Sequence, residues 1–433
     1  MTEKRFHSVR LDKEKCKGCT NCLKRCPTEA IRVREGRARI IDERCIDCGE
    51  CIRVCGYHAK YAQTDPLSCI EPFRYKIALP APSLYGQFKN LVSPAQVLEG
   101  LKNMGFDEVY EVARGADIVT RAIRERMRCM KKSGFPMISS ACPAITRLIQ
   151  VRFPGLIPHM VDIRQPMEMA AMVAKREFSQ RMNVPEREIG CFFITPCAAK
   201  VTAIRNPIGH EISAVDGAIS MLEIYSRLAA SIKQHYMPNA ACATAYGVAW
   251  ANSGGEAAAV CPEQSMAVDG IENVIRVLEE IEDDKLPDLR FFEGAACTGG
   301  CVGGPLTFEN GYIARGTVQM LMKGCDMTHP DESIDMSYLN QYELTLNNPI
   351  APKSVMQLDD EISEAMKMME QMDEIVHSLP GYDCGSCGSP TCECFAEDIV
   401  RGYCNQLDCV HLLKEQLKIM AQKMVELAKT TRE

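Results

Sequence analysis

The sequence predicts an α/β domain that is flanked on each side by a short cysteine-rich segment. Stretches typical of strands and helices alternate from residue 66 to residue 350, which is the pattern of sheets covered by helices. The first 65 residues repeat one cysteine spacing twice, and another cysteine run lies at residues 384–409. We therefore divide the chain into residues 1–65, 66–350, a connecting helix at 351–379, and residues 380–433.

The N-terminal segment contains two runs of four cysteines with the same internal spacing. They are Cys16, Cys19, Cys22 and Cys26, then Cys45, Cys48, Cys51 and Cys55. The spacing C-x2-C-x2-C-x3-C is that of ferredoxins with two [4Fe–4S] clusters, in which the fourth cysteine of each run binds the other cluster. We therefore assign Cys55 to the first cluster and Cys26 to the second. A zinc or disulfide module is the alternative interpretation.

Residues 30–34 and 37–41 alternate in polarity around Gly36 and predict a small hairpin, which completes a ferredoxin-like α+β domain. In the middle segment, residues 75–79, 137–140 and 190–195 predict strands, and residues 108–112 predict another. Helices are expected at residues 97–104 and 254–260, the second after a turn that begins near residue 241. Two of these strands lead into cysteine loops, and ligand sites in α/β folds collect beyond strand ends.

The stretch FFEGAACTGGCVGGPLTFEN at residues 291–310 places Cys297 and Cys301 among closely spaced glycines. Cysteines four residues apart can meet on one face at the start of a helix. Glycine allows the backbone to close on a bulky inorganic group. Because an iron–sulfur cubane normally has four thiolate ligands, two more are needed. Cys142 in SSACP and Cys197 in TPCAAK are the candidates.

Together, SSACP, TPCAAK and EGAACTGGCVGG resemble the three cysteine motifs of the [FeFe]-hydrogenase catalytic domain, in that family's order. The resemblance covers about residues 78–349 and implies two parallel-sheet lobes that enclose a metal centre. It implies that one [4Fe–4S] cluster is bound by Cys142, Cys197, Cys297 and Cys301. Cys301 would also bridge to a diiron subcluster that carries CO, cyanide and an azadithiolate.

The same resemblance assigns roles to residues around the centre. Lys200 matches the family lysine that hydrogen-bonds an iron cyanide, and a buried ammonium needs such an anionic partner. Cofactor-binding roles are further implied for Ala81, Pro82, Pro196 and Ser253. Ala141 stands where the family has a cysteine that relays protons, so this first step of the usual relay is missing.

Further departures from the family concern the relay acids and the cluster surroundings. Residues 118–126 contain no clear match to the relay acids, although Glu125 is close. Thr195 and Ala295 replace two family methionines that flank the cluster, which alters its hydrogen bonding and its potential. Since general acid–base steps contribute about 10²–10⁴-fold to rates, we expect slow turnover.

The C-terminal segment contains a third cysteine pattern, C-x2-C-x4-C-x16-C. Its members are Cys384, Cys387, Cys392 and Cys409. The pattern resembles a single [4Fe–4S] domain found in redox-driven membrane complexes and in sensory proteins, with Cys404 as a competitor of Cys409 for the fourth position. A zinc site is the alternative.

Two helices are expected around this third pattern. An a/d stripe from Leu358 to Leu379 predicts either a dimer coiled coil or signalling helix, or a helix packed on the catalytic domain. An amphipathic helix begins at about Val410, for core packing or for contact with a partner. The C-terminal domain is thus predicted to be small and helical, and a homodimer is possible.

Composition restricts the remaining possibilities. The 433 residues carry a formal net charge of −7 with no basic block, so nucleic-acid binding has no electrostatic basis. No run of 18 apolar residues indicates a membrane span. The start MTEKRFHSVRLDKEKC lacks the apolar part of a secretory signal. The 24 cysteines are therefore expected in a reduced, cytoplasmic protein.

Two functions follow from these patterns. The first is a sensory [FeFe]-hydrogenase with four [4Fe–4S] clusters and a diiron subcluster, acting slowly on H2 and protons. Its partners would be a ferredoxin-like redox protein or a signalling protein, and maturation enzymes. The second is a hydrogenase-like iron–sulfur carrier or assembly protein without the diiron subcluster. Lys200 discriminates between them, because a cyanide partner is needed only where the subcluster is present.

Overall fold

The computed structural model describes residues 6–130, 136–232 and 243–430. In chain order its strands are β1 (Val9–Leu11), β2 (Ile31–Arg34), β3 (Arg37–Ile40), β4 (Lys60–Ala62), β5 (Tyr75–Pro80), β6 (Glu108–Val109), β7 (Met137–Ile138), β8 (Ile189–Thr195), β9 (Gly217–Ser220), β10 (Ser265–Asp269) and β11 (Phe291–Ala295). Its α-helices are α1 (Asn21–Lys24), α2 (Glu50–Arg53), α3 (Ala95–Lys102), α4 (Val112–Cys129), α5 (Pro143–Arg152), α6 (Pro166–Met182), α7 (Ala198–Arg205), α8 (Met221–Ser231), α9 (Ala245–Ala249), α10 (Gly255–Val260), α11 (Ile271–Glu282), α12 (Gly311–Met322), α13 (Pro330–Ser333), α14 (Met336–Leu339), α15 (Ile362–Ser378), α16 (Cys392–Val400) and α17 (Val410–Thr430). Among these residues, no helix combines the length and the apolar character that crossing a bilayer requires.

The described residues form two compact units. The larger unit contains those of Met1–Arg10, Ile46–Gly49 and Ala62–Lys353. The smaller unit contains those of Leu11–Cys45, Glu50–Tyr61 and Ser354–Glu433. This division differs from the four consecutive segments expected from sequence, since most of the ferredoxin segment and the whole C-terminal segment share one unit.

Two parallel sheets build the larger unit. One has the strand order β6-β5-β8-β9 and the other has the order β10-β11-β7, and every pair within them is parallel. All seven residues of β8 are buried, which explains its continuous apolar sequence IGCFFIT. The prediction of an α/β fold with two parallel-sheet lobes is therefore confirmed.

One predicted strand is much shorter than expected. Residues 108–112 were predicted to be extended, but β6 ends at Val109 and α4 begins at Val112. Tyr110 still donates its N–H to Ala78 O at 2.9 Å, and Tyr85 Oη donates to Glu111 Oε2 at 2.9 Å. These contacts turn the chain into α4, whose apolar face is buried. The turn expected from residue 241 begins outside the described residues.

The smaller unit contains the predicted hairpin, in which β2 and β3 pair antiparallel with Arg34 opposite Arg37. Its second part is built around Phe395 of α16, which is buried. Met372 and Val376 of α15 pack against the apolar cluster that contains Phe395, whereas Ile362 is 78% exposed. The a/d stripe of α15 is therefore partly used for packing against α16.

Helix α17 has a different environment from α15. Its apolar residues Leu417, Met420 and Met424 are between 56% and 69% exposed. The predicted amphipathic helix is present at the predicted position, but the described structure does not use this face as core.

Candidate metal centre

Three loops of the larger unit converge on one cavity with about 940 Å³ of atom-free space, part of it open to solvent. The four cysteines that the sequence motifs placed in one set all line it: Cys142, Cys197, Cys297 and Cys301. Each lies just past the carboxyl end of a parallel strand, where β7, β8 and β11 stop. The structure thus brings together thiols that are up to 159 positions apart in the sequence (301 − 142).

Helix starts position two of these thiols. Cys142 immediately precedes α5, whose first residue is Pro143, and Cys197 immediately precedes α7. Cys297 and Cys301 were expected at the start of a helix, but they do not lie on the first turn of an α-helix. They lie in a turn in which Gly300 N–H donates to Cys297 O at 3.0 Å, and a short 3₁₀ helix begins at Cys301.

The glycines of this turn are required by close backbone approach. Gly300 has φ +93°, and a Cβ there would lie 2.4 Å from the backbone nitrogen of Ser253. A Cβ on Gly304 would lie 2.4 Å from Pro196 O. Any larger side chain would push the Cys301 loop away from the loop that carries Cys197. The glycines therefore hold two parts of the cavity wall together.

The thiols are in an environment that disfavours charge without a metal. Burial raises the pKa of the Cys197 thiol, and the neighbouring thiols of Cys297 and Cys142 raise it further. Burial also raises the pKa of Cys301 to about 12, although Lys200 partly opposes this rise. A bound cation reverses this preference, since thiolates are the metal-binding form of cysteine. Four convergent sulfur donors suit an iron–sulfur cubane or zinc.

Several buried polar atoms in the cavity wall could form hydrogen bonds to a bound ligand. Ser83 Oγ, Trp250 Nε1 and Asn252 Oδ1 are buried in residues that line the cavity, and none has a partner in the described part of the chain. Unpaired buried polar groups are costly. Together with the four thiols and the glycine turn, they fit the cluster and subcluster that the sequence motifs imply.

Lys200 lines the cavity one helical turn beyond Cys197. Its ammonium donates to Ala141 O at 2.9 Å and to Gln165 Oε1 at 3.3 Å. Both acceptors are uncharged, so these bonds satisfy donors of Lys200 without neutralising its charge. A ligand with negative charge fits this position.

The remaining predicted pocket residues divide into two groups. Ala81, Pro82, Pro196 and Ala141 line the cavity as expected. Ser253 is not part of its wall, and its N–H instead donates to Gly299 O at 3.0 Å, which supports the glycine turn. Glu125 is also remote, because its carboxylate pairs with Arg121 and Arg128 on the partly exposed face of α4.

Two cavity residues were missed by the sequence analysis. Glu256 and Glu293 line the cavity and are both buried. Ser139 Oγ donates to Glu256 Oε2 at 2.6 Å and accepts the N–H of Ala141 at 3.2 Å. Burial, and then the charge of Glu293, raise the pKa of Glu256 to about 8. A glutamate within the apolar strand sequence FFEGA, four residues before Cys297, was the signal that could have revealed Glu293.

Of the two predicted ferredoxin clusters, the first has all of its cysteines in the smaller unit. The four cysteines predicted for the first cluster line a single pocket: Cys16, Cys19, Cys22 and Cys55. Lys60 also lines this pocket, and its buried ammonium has no hydrogen-bond partner among the described residues. Of the second set, Cys26, Cys45 and Cys51 lie in the same unit and Cys48 lies in the larger one.

The C-terminal cysteines gather around Phe395. Cys387, Cys392 and Cys409 pack in its apolar cluster, and Cys384 Sγ lies 3.7 Å from His411 Nε2. The competing Cys404 packs in the same cluster, with its Sγ 4.0 Å from Phe395 O. The choice of Cys409 as fourth ligand stays a prediction.

Comparison with known proteins agrees with these sites. A family model described as the C-terminal domain of the iron-only hydrogenase large subunit matches residues 74–265 and 258–305, more than half of the chain. A 4Fe-4S dicluster domain matches residues 8–56, and an Fe-S cluster family matches residues 379–411. Iron–sulfur clusters are therefore supported at both ends of the chain.

Individual relatives are distant. The periplasmic [Fe] hydrogenase large subunit of Nitratidesulfovibrio vulgaris is 29% identical over 214 residues, which cover 45% of this chain and 51% of the relative. Iron hydrogenase 1 of Clostridium pasteurianum is 22% identical over 225 residues, covering 46% and 39%. The chain thus spans about half the length of the first relative and less of the second.

Two further similarities are a short sequence match to a cluster assembly factor and a match to a solved structure. A cytosolic Fe-S cluster assembly factor NAR1 homolog of Schizosaccharomyces japonicus is 28% identical over 95 residues, covering 22% of this chain and 18% of the relative. A solved structure of a variant of the [FeFe]-hydrogenase HydA1 from Chlamydomonas reinhardtii matches with a TM-score of 0.48 and 15% identity, covering 64% and 91%.

Proposed function

The chain belongs to the family of iron-only hydrogenase large subunits, and on that premise we propose that it is a sensory [FeFe]-hydrogenase of low turnover. The observation that carries the proposal is the single cavity lined by four cysteines together with Lys200 and Ala141. The cysteines would hold the cubane, and Cys301 would also hold the diiron group. That group, when bound, supplies the iron at which hydrogen is split and an amine base.

Lys200 would orient the diiron group. Its side chain reaches the cavity wall beside Ala141, and its ammonium can donate a third hydrogen bond. This charge would hold an anionic ligand on iron. Lys200 is already half-buried in the folded chain, so binding would add little to the cost of removing its ammonium from water. The apolar remainder of the wall, which includes Val112, Met167 and Phe193, would limit the access of water to the group.

Proton movement would use carboxyl groups instead of a cysteine. Ala141 presents a methyl group where the family has a thiol, so it cannot pass a proton. Glu256 is protonated near neutral pH because its pKa is about 8, and it is linked through Ser139 to the backbone of Ala141. The charge of Glu293 raises the pKa of Glu256 and so favours its protonated form. This longer route supports slow turnover, in which the redox state of the clusters is the output.

The second candidate function is an iron–sulfur carrier or assembly protein. The limited similarity to the NAR1 homolog favours it, because that relative's name assigns it to cluster assembly. Lys200 and the open space beside Cys301 favour the hydrogenase, since neither is needed to hold a cubane alone. Hydrogen, a redox or signalling partner, and maturation enzymes are proposed as interaction partners on the same premise.

Infrared spectroscopy tests the choice between the two functions. The chain with reconstituted cubanes is loaded with a synthetic diiron mimic, and spectra are recorded under hydrogen and under nitrogen. We expect CO and cyanide bands that shift under hydrogen, and their loss in Cys301→Ala. Lys200→Met, which keeps the length of the side chain, should lower the yield of loading. Bands that never form, or that ignore hydrogen, would contradict the hydrogenase proposal.

A further inference from the structure

Buried ion pairs join the C-terminal segment to the ferredoxin segment within the smaller unit. Arg44 donates to Glu397 through both terminal guanidinium nitrogens, with Nη1 at 3.0 Å from Oε2 and Nη2 bonded to Oε1. Arg32 Nε and Arg34 Nη2 both donate to one oxygen of Asp398, at 2.7 and 2.8 Å. The side chains of Arg32 and Asp398 are 7% and 4% exposed, so these charges are withdrawn from water and depend on each other.

A second set of contacts involves the loop that carries the C-terminal cysteines. Val33 N–H donates to Gly388 O at 2.8 Å, and Arg34 Nη1 donates to Cys387 O at 2.8 Å. Lys24 Nζ donates to Pro390 O at 2.5 Å and also to Asp383 O. The C-terminal cysteine loop therefore lies directly on α1 and β2 of the ferredoxin segment.

Gly388 shows that this contact is closely fitted. Its φ is +83°, and a Cβ there would lie 1.8 Å from Val33 O, so only glycine allows this approach. Val33 also lines the pocket of Cys16, Cys19 and Cys22. Val33 is thus in contact with the loop of one predicted cluster and with the pocket of another.

We propose that the C-terminal cluster exchanges electrons directly with the ferredoxin cluster held by Cys16, Cys19, Cys22 and Cys55, across Val33. Each transfer oxidises one cubane by one electron and reduces the other by one. The ion pairs of Arg32, Arg34 and Arg44 with Asp398 and Glu397 hold the two cubanes in this arrangement. The proposal rests on the iron–sulfur part of the proposed function and requires no diiron group.

Magnetic coupling between reduced clusters tests the arrangement in the full chain. Cubanes are reconstituted with iron and sulfide, no diiron mimic is added, and the chain is reduced for electron paramagnetic resonance. We expect the spectrum of the native chain to be broader than that of the double variant Cys384→Ala/Cys387→Ala. The variant should also contain about four fewer iron atoms. A native spectrum equal to that of the variant plus one uncoupled cluster would overturn the proposal. Hydrogen is absent, so failure of the hydrogenase proposal leaves this measurement unaffected.

A charge variant tests what holds the two clusters together. Asp398→Asn keeps the shape of the side chain but leaves Arg32 and Arg34 without a carboxylate. We expect the variant to retain its iron and to lose the part of the broadening that the C-terminal cluster contributes, while the exposed control Asp373→Asn on α15 behaves like the native chain. Full iron with unchanged broadening would refute the role of the ion pairs. If the variant loses iron, the comparison of the native chain with the double cysteine variant decides.

Discussion

Ala141 is the residue at which this chain departs most consequentially from the family pattern that its motifs follow. Its methyl group lines the cavity, its carbonyl accepts from Lys200, and its N–H reaches Ser139. The backbone is therefore held in place from both sides, and only the side chain lacks a proton to transfer.

Ala141→Cys is expected to raise hydrogen turnover of the loaded chain by roughly 10²-fold, the lower end of what general acid–base steps contribute. Ala141→Val is the matched control, because it also enlarges the side chain but adds no exchangeable proton. Turnover is measured as hydrogen evolved per iron-loaded chain. An equal rate in all three chains would show that protons already reach the site by another route.

Glu256 makes stability depend on pH in a direction opposite to that of most carboxylates. Its pKa is about 8 in the folded chain, against about 4.3 for an unfolded glutamate. Between these values the folded chain binds more protons, so the free energy of unfolding falls as pH rises through this range. Glu256→Gln should reduce the difference in Tm between about pH 5 and about pH 9, whereas the exposed control Glu263→Gln should not. An undiminished difference would contradict the assignment.

Lys60 carries a buried positive charge in the pocket of the first ferredoxin cluster. Reduction adds negative charge to a cluster, and a nearby cation stabilises that state. Lys60→Met should therefore lower the reduction potential of this cluster, as followed by redox titration, while Lys13→Met at an exposed position should leave it unchanged. An unaltered potential in Lys60→Met would mean that its charge does not act on the cluster.

At the scale of elements, helices α15 and α17 show that the spacing of apolar residues does not predict what a helix packs against. Both have apolar residues at spacings of three and four, yet Met372 packs against the apolar cluster of Phe395 while Met424 is 69% exposed. The pattern specifies only which side of a helix is apolar. Whether that side is covered depends on where the chain leads afterwards.

Substitutions in these helices should differ accordingly. Phe395→Ala is expected to cost about 3–5 kcal/mol of unfolding free energy, because it removes a buried aromatic ring. Met424→Gln is expected to change it by less than about 0.5 kcal/mol. Denaturant unfolding of the reconstituted chain measures both. A large loss in Met424→Gln would reveal a contact for α17 that the described residues do not show.

For the whole molecule, the sequence was sufficient for the fold class and for the cavity cysteines. Strands such as β8 are continuously apolar, and their cysteines follow directly at the strand ends. Glu256 and Glu293 could not be found in this way, because the burial of a carboxylate depends on which loops fold over it. The cofactor-binding role of Ser253 stays a prediction, and the contact that the structure shows for it near the site is made by its backbone N–H, which donates to Gly299 O.

The iron content tests the count of clusters. Two ferredoxin cubanes, one at the cavity and one at the C-terminal cysteines predict about 16 iron per reconstituted chain. Cys142→Ala should remove about four, and two further iron should appear only after loading of the diiron group. Quantitative iron analysis checks these numbers. A value of about 12 in the native chain would mean that one of the predicted sites holds no cubane.

The pairing of Arg44 with Glu397 also has a consequence for biosynthesis. The two residues are 353 positions apart, so a ribosome that adds about 5–20 residues per second makes the second about 20–70 s after the first. During that interval three guanidinium groups of the nascent ferredoxin segment lack their carboxylates. Its final packing therefore has to wait until Glu397 and Asp398 have been synthesised.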